Sequence, residues 1–345
     1  MNAADRVRCL RRGLPLLCLS LLGSTGALGT AQMGSPTSVP PTPAVDAADQ
    51  LADIMVEAQE PRFVAPTRRD QIGRIWAPVM INGHGPFRLV LDTGASHSAV
   101  TSMVALALGI PTDKAPPVLM RGVTGAATVP TIQVNTLSVG DVAVDSPLLP
   151  IVPDAMGGAE GVLGSEGLVN KRIFIDFHHD KITITYSRDE KPGRDFVRIP
   201  FHMIHGQLIV VQAYVGGIAT KAIIDTGGQT TIANLALRDA LERSRQGHRV
   251  RADEIMGATL AVERGEIIDT PAIELGSIRM VDPGVTFANL YIFKQWKLVS
   301  EPAILIGMDA LGVLDTLVID YHQHDLELRT QRSARESTAG EGMKW

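Results

Sequence analysis

Two short stretches put a carboxylate at the end of an apolar run. Residues 89–100 read LVLDTGASHSAV and residues 222–231 read AIIDTGGQTT, so Asp92 and Asp225 each follow three apolar residues and precede Thr-Gly. A charge at the end of a buried strand is costly unless it is paired or hydrogen-bonded. Two carboxyl groups brought to within about 3 Å of each other cannot both ionise; they share one proton and titrate as a unit. Such a pair can activate water. The ionised oxygen takes a proton as general base, while the protonated partner donates to a carbonyl, giving a tetrahedral gem-diol without a covalent intermediate. The neighbours suit this use. Gly94 and Gly227 allow a sharp turn and close approach of backbone N–H groups, and the hydroxyls of Thr93 and Thr226 have the length to lock one loop to the other.

The elements that must position these residues recur with them. From Trp76 onward, short Val, Ile and Leu-rich runs alternate with Gly, Pro and Asn turns, as in VMINGHGPFRLVLD, where Asn-Gly predicts a hairpin. Two stretches predict helices, Ser102 to Leu108 and Asn234 to Arg243, each just after a DTG turn. Four landmarks repeat in order. After each Asp-Thr-Gly comes a Gly-rich hairpin turn, MRGVTGAA and IMGATLAVERGE, beginning 28 and 30 residues on. Then come GVLGSEGL (161–168) and AILIGMDAL (303–311), and last FIDFHHDKITI (174–184) and VIDYHQHDLEL (318–328). Asp92 to Asp176 spans 84 residues and Asp225 to Asp320 spans 95, so the second copy carries an insertion, expected at SRQGHRVRADE or FANLYIFKQWK. Repeated β units of this kind pack about a pseudo-twofold axis, because equivalent surfaces are self-complementary. That axis would bring Asp92 and Asp225 together.

Composition bounds the rest. A chain of 345 residues, 45% hydrophobic and 20% charged, is long enough for two globular domains. A formal charge of -5 gives no broad basic surface, which argues against nucleic acid as a partner. Arg6, Arg8, Arg11 and Arg12 precede the apolar run 14–22, and small residues follow to Ala31, which is the layout of a secretory signal. An uncleaved anchor is the alternative, although the run is short of the roughly 20 residues a span needs. Lipid attachment at Cys18 fits less well, because Leu17 rather than a small residue precedes it. Both cysteines, Cys9 and Cys18, fall in this segment, so a processed protein would contain no disulfide. Removal of 1–31, with four Arg and one Asp, would change the charge from -5 to -8. No other apolar run reaches membrane-spanning length, so no span is expected after signal removal. The expected organisation is therefore a signal peptide (1–31), a Pro, Ser and Thr-rich spacer and N-terminal segment (32–70), one lobe at 71–190, a second at 191–330, and a polar tail (331–345). The segment before the first lobe could cover the cleft as a pro-segment or complete an edge strand.

LVLDTGAS and AIIDTGGQT, each with a downstream Gly-rich turn and an apolar-Gly element, resemble the aspartic proteases, and the DTGAS form is most similar to the retropepsin-type lobe. The resemblance covers residues 76 to 328. It implies a mainly β fold of two retropepsin-like β-barrel lobes related by a pseudo-twofold axis, with one short helix per lobe. It further implies an aspartic endopeptidase in which Asp92 and Asp225 are catalytic and Thr93, Gly94, Ala95, Ser96, Thr226, Gly227 and Gly228 form the active-site loops. Gly122, Val123, Thr124, Gly125, Met256, Gly257 and Ala258 would be substrate-binding flaps. The implied partner is an extended peptide or unfolded protein, with no metal and no organic cofactor, in a monomer with an intramolecular dyad. With the leader, the expectation is an exported protein, periplasmic or secreted, of a bacterial envelope.

Some features depart from that pattern. Ala95 and Gly228 stand where the pepsin branch has a hydroxyl donor, which should raise the pair's pKa values and move the optimum to a less acidic pH. Gln229 matches Ser96, and the flap turn lacks a tyrosine. A catalytically weak or inactive protein of the same fold, binding peptides or a partner of the cell envelope in the same cleft, is the alternative reading. Asp176 and Asp320 also recur as a pair, but read as strand-end carboxylates beside hairpin turns. His178, His179, His322 and His324 have no metal-ligand spacing and read as solvated turns. His97, five residues past Asp92, is expected to face the following loop.

Overall fold

Asn82 and Gly83 both adopt left-handed backbone, with φ of 51° and 75°. This two-residue turn matches the right-handed twist of the strands it joins, Trp76–Ile81 and His84–Leu91. Gly216 and Gly217, with φ of 55° and 81°, make the same turn between Leu208–Val215 and Ile218–Ile224. Each hairpin delivers a fully buried apolar triplet, Leu89–Leu91 or Ala222–Ile224, to the Asp that follows.

The computed structural model describes residues 63–66 and 74–330, apart from 141, 146–147, 154–156, 169, 206–207, 244–249 and 282–283. The chain divides into two units, 1–46 and 47–345, and everything described lies in the second. The expected signal peptide, the Pro-rich spacer 33–48 and the tail 331–345 lie outside the described residues.

The architecture is mainly β, with four short helices among the described residues. Residues 76–163 supply an eight-stranded sheet and residues 202–306 a ten-stranded one. Both sheets are built the same way around the DTG loops. Gly161–Leu163 runs parallel to Leu89–Leu91 and antiparallel to the strand after the loop, Ala99–Thr101. Ala303–Ile306 likewise runs parallel to Lys221–Ile224 and antiparallel to Ile232–Ala233. A strand flanked on both sides and covered on both faces must be apolar throughout, which is why GVL and AILI read as unbroken hydrophobic runs. The Asp92 amide donates to the Leu163 carbonyl and the Asp225 amide to the Ile306 carbonyl, both at 3.0 Å, so each Asp begins its loop tied to the central strand.

A third sheet joins chain segments from both copies of the repeat. Its order is Phe63–Pro66, Lys181–Tyr186, Lys171–Asp176, Leu314–Asp320, Asp325–Thr330 and Val197–Pro200, antiparallel throughout. The two IDF/IDY hairpins are therefore central to this sheet, pairing Arg172 with Asp320 and Ile173 with Ile319. Phe63–Pro66 and Val197–Pro200 occupy its two edges. Of the alternatives for the N-terminal segment, residues 63–66 complete an edge strand. One apolar cluster runs through all three sheets, from Ile75 to Leu328. A second, around Val210, Phe293 and Leu305, lies under the helix Tyr291–Gln295.

Two expectations need correction. Neither large sheet closes into a barrel among the described residues. Closure requires the outermost strands to bond to each other, and Thr131–Gln133 and Val142–Asp145 each pair with a single inner neighbour. One helix per lobe is also too few. Ser102–Ala107 and Leu235–Arg243 follow the DTG loops as expected, but Tyr291–Gln295 and Met308–Leu311 add two more in the second half. At five and four residues they are too short to carry a helical period. Tyr291–Gln295 lies in one of the two stretches expected to hold the insertion. No described helix is long and apolar enough to cross a membrane.

Candidate active site

The two DTG loops are bound to each other by their threonines. The Thr93 hydroxyl donates to the Ile224 carbonyl at 2.7 Å and accepts from the Thr226 amide at 3.2 Å. The Thr226 hydroxyl donates to the Leu91 carbonyl at 2.7 Å and accepts from the Thr93 amide at 3.1 Å. Both threonines are fully buried. Four bonds in a dry environment thus fix the two loops face to face.

This clasp brings Asp92 and Asp225 together, with their carboxyl groups in hydrogen-bonding reach of one another. Each has one oxygen held by the backbone of its own loop. Asp92 Oδ1 accepts from the amides of Gly94 at 2.8 Å and Ala95 at 3.0 Å. Asp225 Oδ1 accepts from Gly227 at 3.0 Å and Gly228 at 2.9 Å. The positions that lack a hydroxyl donor therefore still supply a donor, from the main chain. Glycine is required here by proximity. A Cβ on Gly227 would overlap the Asp92 carboxyl, and one on Gly94 would lie 2.9 Å from Asp225 Oδ1. Ser96 and Gln229 are exposed at matching points of the two loops, and His97 Nδ1 lies 3.0 Å from Ser96 Oγ.

Burial and the negative charge of Asp225 hold the Asp92 carboxyl well above the ordinary carboxylate range. Burial also raises Asp225, but the hydrogen bond from Asp92, the amides of Gly228 and Gly227, and the positive charge of Arg74 all pull it back. Both carboxyls are thus held above the ordinary carboxylate range, and the pair shares a proton as a unit. One acid and one base at contact distance are what water activation requires.

The candidate flap residues sit at two hairpin tips. Gly122, Val123, Thr124 and Gly125 join Val118–Arg121 to Ala126–Val129, an isolated two-stranded sheet. Met256 ends the strand Val250–Met256, and Gly257 and Ala258 begin the turn to Val262–Asp269. The tips touch. Thr124 Oγ1 donates to the Ala261 carbonyl at 2.7 Å and accepts from the Gly257 amide at 3.1 Å. The Val123 carbonyl accepts from the Ile292 amide at 3.1 Å, so the first tip also rests on the helix Tyr291–Gln295.

Two carboxylates that the residue pattern did not single out support the loops. Glu166 Oε1 accepts from the Ser98 amide at 2.6 Å, and Asp309 accepts from the Thr231 amide at 2.9 Å and its hydroxyl at 2.6 Å. Ser98 and Thr231 hydroxyls in turn accept from the amides of Gly164 and Gly307. Ser98 and Thr231 each lie six residues past their Asp, and Glu166 and Asp309 each lie two past their Gly. That repeated offset was readable in the sequence, but only by aligning the copies residue by residue.

Asp176 and Asp320 do not belong to this site. Each accepts two amides of its own turn, His178 and His179 in one case, His322 and Gln323 in the other. Among the described residues no group of three or more His, Cys, Asp or Glu side chains is arranged to hold a metal ion. A cavity of about 460 Å³ lined by His202, Lys221, Trp296 and Glu301, among others, includes none of the DTG or flap residues.

Residues 77–166 match the family model of aspartyl proteases. The match contains the first DTG loop, the first flap hairpin and the Gly164–Glu166 element, and it ends before the second copy begins. No curated protein matches the chain.

Proposed function

We propose that this protein is an exported, two-lobed aspartic endopeptidase that hydrolyses extended peptide or unfolded protein in a cleft between lobes. The observation that carries the reading is the Asp92–Asp225 pair, two carboxyl groups in contact and held by symmetric amide donors. The family match at residues 77–166 supports it, and the Arg-rich start with its apolar run supports export.

In this mechanism a water molecule lies between the carboxyl oxygens that the loop amides leave unoccupied. Asp225 takes a proton from the water as its oxygen attacks the scissile carbonyl carbon, and Asp92 gives its proton to the carbonyl oxygen. The product of this step is a neutral gem-diol. As the C–N bond breaks, Asp225 delivers its proton to the leaving nitrogen and Asp92 recovers one from a gem-diol hydroxyl. Acid, amine and the starting protonation state result. The two hairpins would close over the substrate, with Val123 and Met256 offering apolar contact to side chains flanking the cleaved bond. A pseudo-twofold relation of the lobes accounts for why each catalytic residue has a counterpart in the same local setting.

The test is hydrolysis of a denatured protein substrate by the purified protein from pH 3 to pH 8, with and without a hydroxyethylene or statine-type peptide that mimics the gem-diol. The reading expects cleavage that the mimic abolishes, with an optimum less acidic than that of a gastric enzyme. A protein inert over this whole range, yet still binding the mimic, would instead be a peptide-binding relative.

A further inference from the structure

The second copy of the repeat is the longer, and its extra residues form one side of the cavity of about 460 Å³. In the first copy residues 153–160 connect Leu148–Val152 to Gly161–Leu163, whereas in the second 288–302 connect Gly284–Phe287 to Ala303–Ile306. Eight residues thus become fifteen. The longer connection lies over one face of the ten-stranded sheet, where its Phe293 and Leu298 pack with Val210 and Ile223. Strand pairing sets the sheet's own contribution. His202 lies opposite Val210 and Gln212 opposite Lys221, and residues two apart share a face, so His202, Val210 and Lys221 line the cavity from one side. Trp296, Leu298 and Glu301 line it from the other.

The added wall is held in place by Asn234, which is fully buried. Its Nδ2 donates to the carbonyls of Leu298 at 2.5 Å and Glu301 at 2.7 Å, while its Oδ1 accepts from the amides of Leu237 and Ala303. Charge is unevenly spread over this cavity. The chain carries a formal -5, yet Lys221, Lys297, His202 and His205 line the cavity against a single acid, Glu301. Lys221 Nζ holds Glu301 Oε1 at 2.7 Å. The side chains of Lys297, His202 and His205 have no hydrogen bond or ion pair among the described residues. The remaining lining is apolar, with Val210 and Leu298 buried and the Trp296 ring edge-on to Phe293 at 6.4 Å.

Two of the unpaired groups stand on costly backbone. Lys297 has φ of 58° and His205 of 50°, in the left-handed region that glycine or asparagine usually fills. Lys297 directly follows the cap Trp296 of the helix Tyr291–Gln295, the position that glycine takes most often. A long cationic side chain kept where glycine would be easier points to a task for that side chain.

We propose that this cavity is a binding site for a small carboxylate with an apolar body, its charged end on Lys297 and the two histidines and its body on Val210, Leu298 and Trp296. A hydrophilic anion would leave the apolar lining unused, and a neutral apolar molecule would leave the cation unpaired. The volume lies within the roughly 300–1,000 Å³ of small-molecule sites. An acyl chain or the C-terminal residue of a peptide would supply this chemistry. In the second case Glu301 Oε2, which Lys221 leaves open, would accept the amide N–H next to the carboxylate. The cavity includes none of the DTG or flap residues, so the proposal stands whether or not the carboxyl pair hydrolyses anything.

The experiment is calorimetric titration of the protein with hexanoate, with N-acetyl-leucine and with its uncharged counterpart N-acetyl-leucinamide, each with and without an excess of the statine-type peptide. At least one carboxylate should bind one to one with Kd below about 1 mM, and the amide roughly fivefold or more weaker. Tighter hexanoate identifies the acyl chain as the source, and tighter N-acetyl-leucine the peptide end. Lys297→Gly should weaken the carboxylate roughly fivefold or more while its urea midpoint is no lower than that of the wild type. Should Lys297→Gly be less stable, Lys297→Gln removes the charge and gives the same comparison. Lys294→Ala, on the same helix but outside the lining, should bind as the wild type does. Neither carboxylate binding at several times that concentration, the amide binding as tightly, displacement by the statine-type peptide, an undiminished affinity in Lys297→Gly or Lys297→Gln, or an equal loss in Lys294→Ala overturns the proposal.

Discussion

Thr93 and Thr226 each donate a hydroxyl to a carbonyl of the opposite DTG segment at 2.7 Å, and each accepts the other's amide. The carboxyl pair is thus held by a clasp that belongs to neither loop alone. Replacing either residue by Ala leaves a buried amide and a buried carbonyl unsatisfied, a loss of about 1–3 kcal/mol. Thr93→Ala and Thr226→Ala should each lower the free energy of unfolding in urea by that amount and reduce hydrolysis. Thr→Ser at either position should retain most of both, since the oxygen stays in place. Equal stability of the Ala variants and the wild type would mean that the clasp is not formed in solution.

The third sheet carries a buried charge network of its own. Arg172 donates to both oxygens of Glu327 at 2.8 and 2.9 Å and to Asp320 at 3.2 Å. Arg172 is 8% exposed, Glu327 2% and Asp320 not at all. Removing the cation leaves two buried carboxylates without it, and breaking a buried pair in this way costs about 3–5 kcal/mol. Arg172→Met should show that loss in urea unfolding, and Arg172→Met/Glu327→Leu should recover part of it. A loss below about 1 kcal/mol would place the network in the class of exposed ion pairs.

Much of the site was legible because the repeat gives each residue a second reading. A single DTG would be indistinguishable from a turn. The recurrence of apolar triplet, DTG, Gly-rich hairpin and apolar-Gly element fixed the position of the loops, the hairpin tips and both longer helices. The third sheet was not legible. Each IDF/IDY hairpin looks self-contained in sequence, and nothing in the local pattern says that Arg172 pairs with Asp320, 148 residues away. Barrel closure was over-read for the same reason, since strand alternation reports burial of a face and not which strands meet. Glu166 and Asp309 were passed over because a carboxylate beside glycine looks like an exposed turn. Their bonds to the amides of Ser98 and Thr231 follow from tertiary contact alone.

The two candidate flap tips are joined through one hydroxyl, that of Thr124, which bonds both the Ala261 carbonyl and the Gly257 amide. Thr124→Val keeps the shape and removes both bonds, each worth about 0.5–1.5 kcal/mol. Amide exchange at Gly257 and Leu260 should accelerate, and kcat/KM should fall by roughly threefold to tenfold as the closed form becomes less populated. Unchanged exchange at these amides would show that the tips are held by other contacts.

The raised Asp92 pKa fixes the sign of one stability effect. A carboxyl whose folded pKa lies above its unfolded value binds its proton more tightly when folded, so ∂ΔG/∂pH is negative between the two values. Stability contributed by the protonated pair is present at low pH and declines as pH rises through the folded-state value of Asp92, where the second carboxyl must ionise beside the first. Asp92→Asn removes that second ionisation. Urea unfolding across pH 4 to 9 should show the variant gaining on the wild type toward the alkaline end. Parallel curves for the two proteins would remove the buried, proton-sharing pair.

In the proposed reaction Asp92 and Asp225 act on one water as one unit, and their substitutions should therefore not add. The decisive measurement compares hydrolysis by Asp92→Asn, Asp225→Asn and the double variant at the wild-type optimum. Each single change should lower kcat by roughly a thousandfold or more, and the double variant should be no slower than the worse single one. Substantial activity in either single variant, or losses that multiply in the double, would contradict a shared catalytic pair.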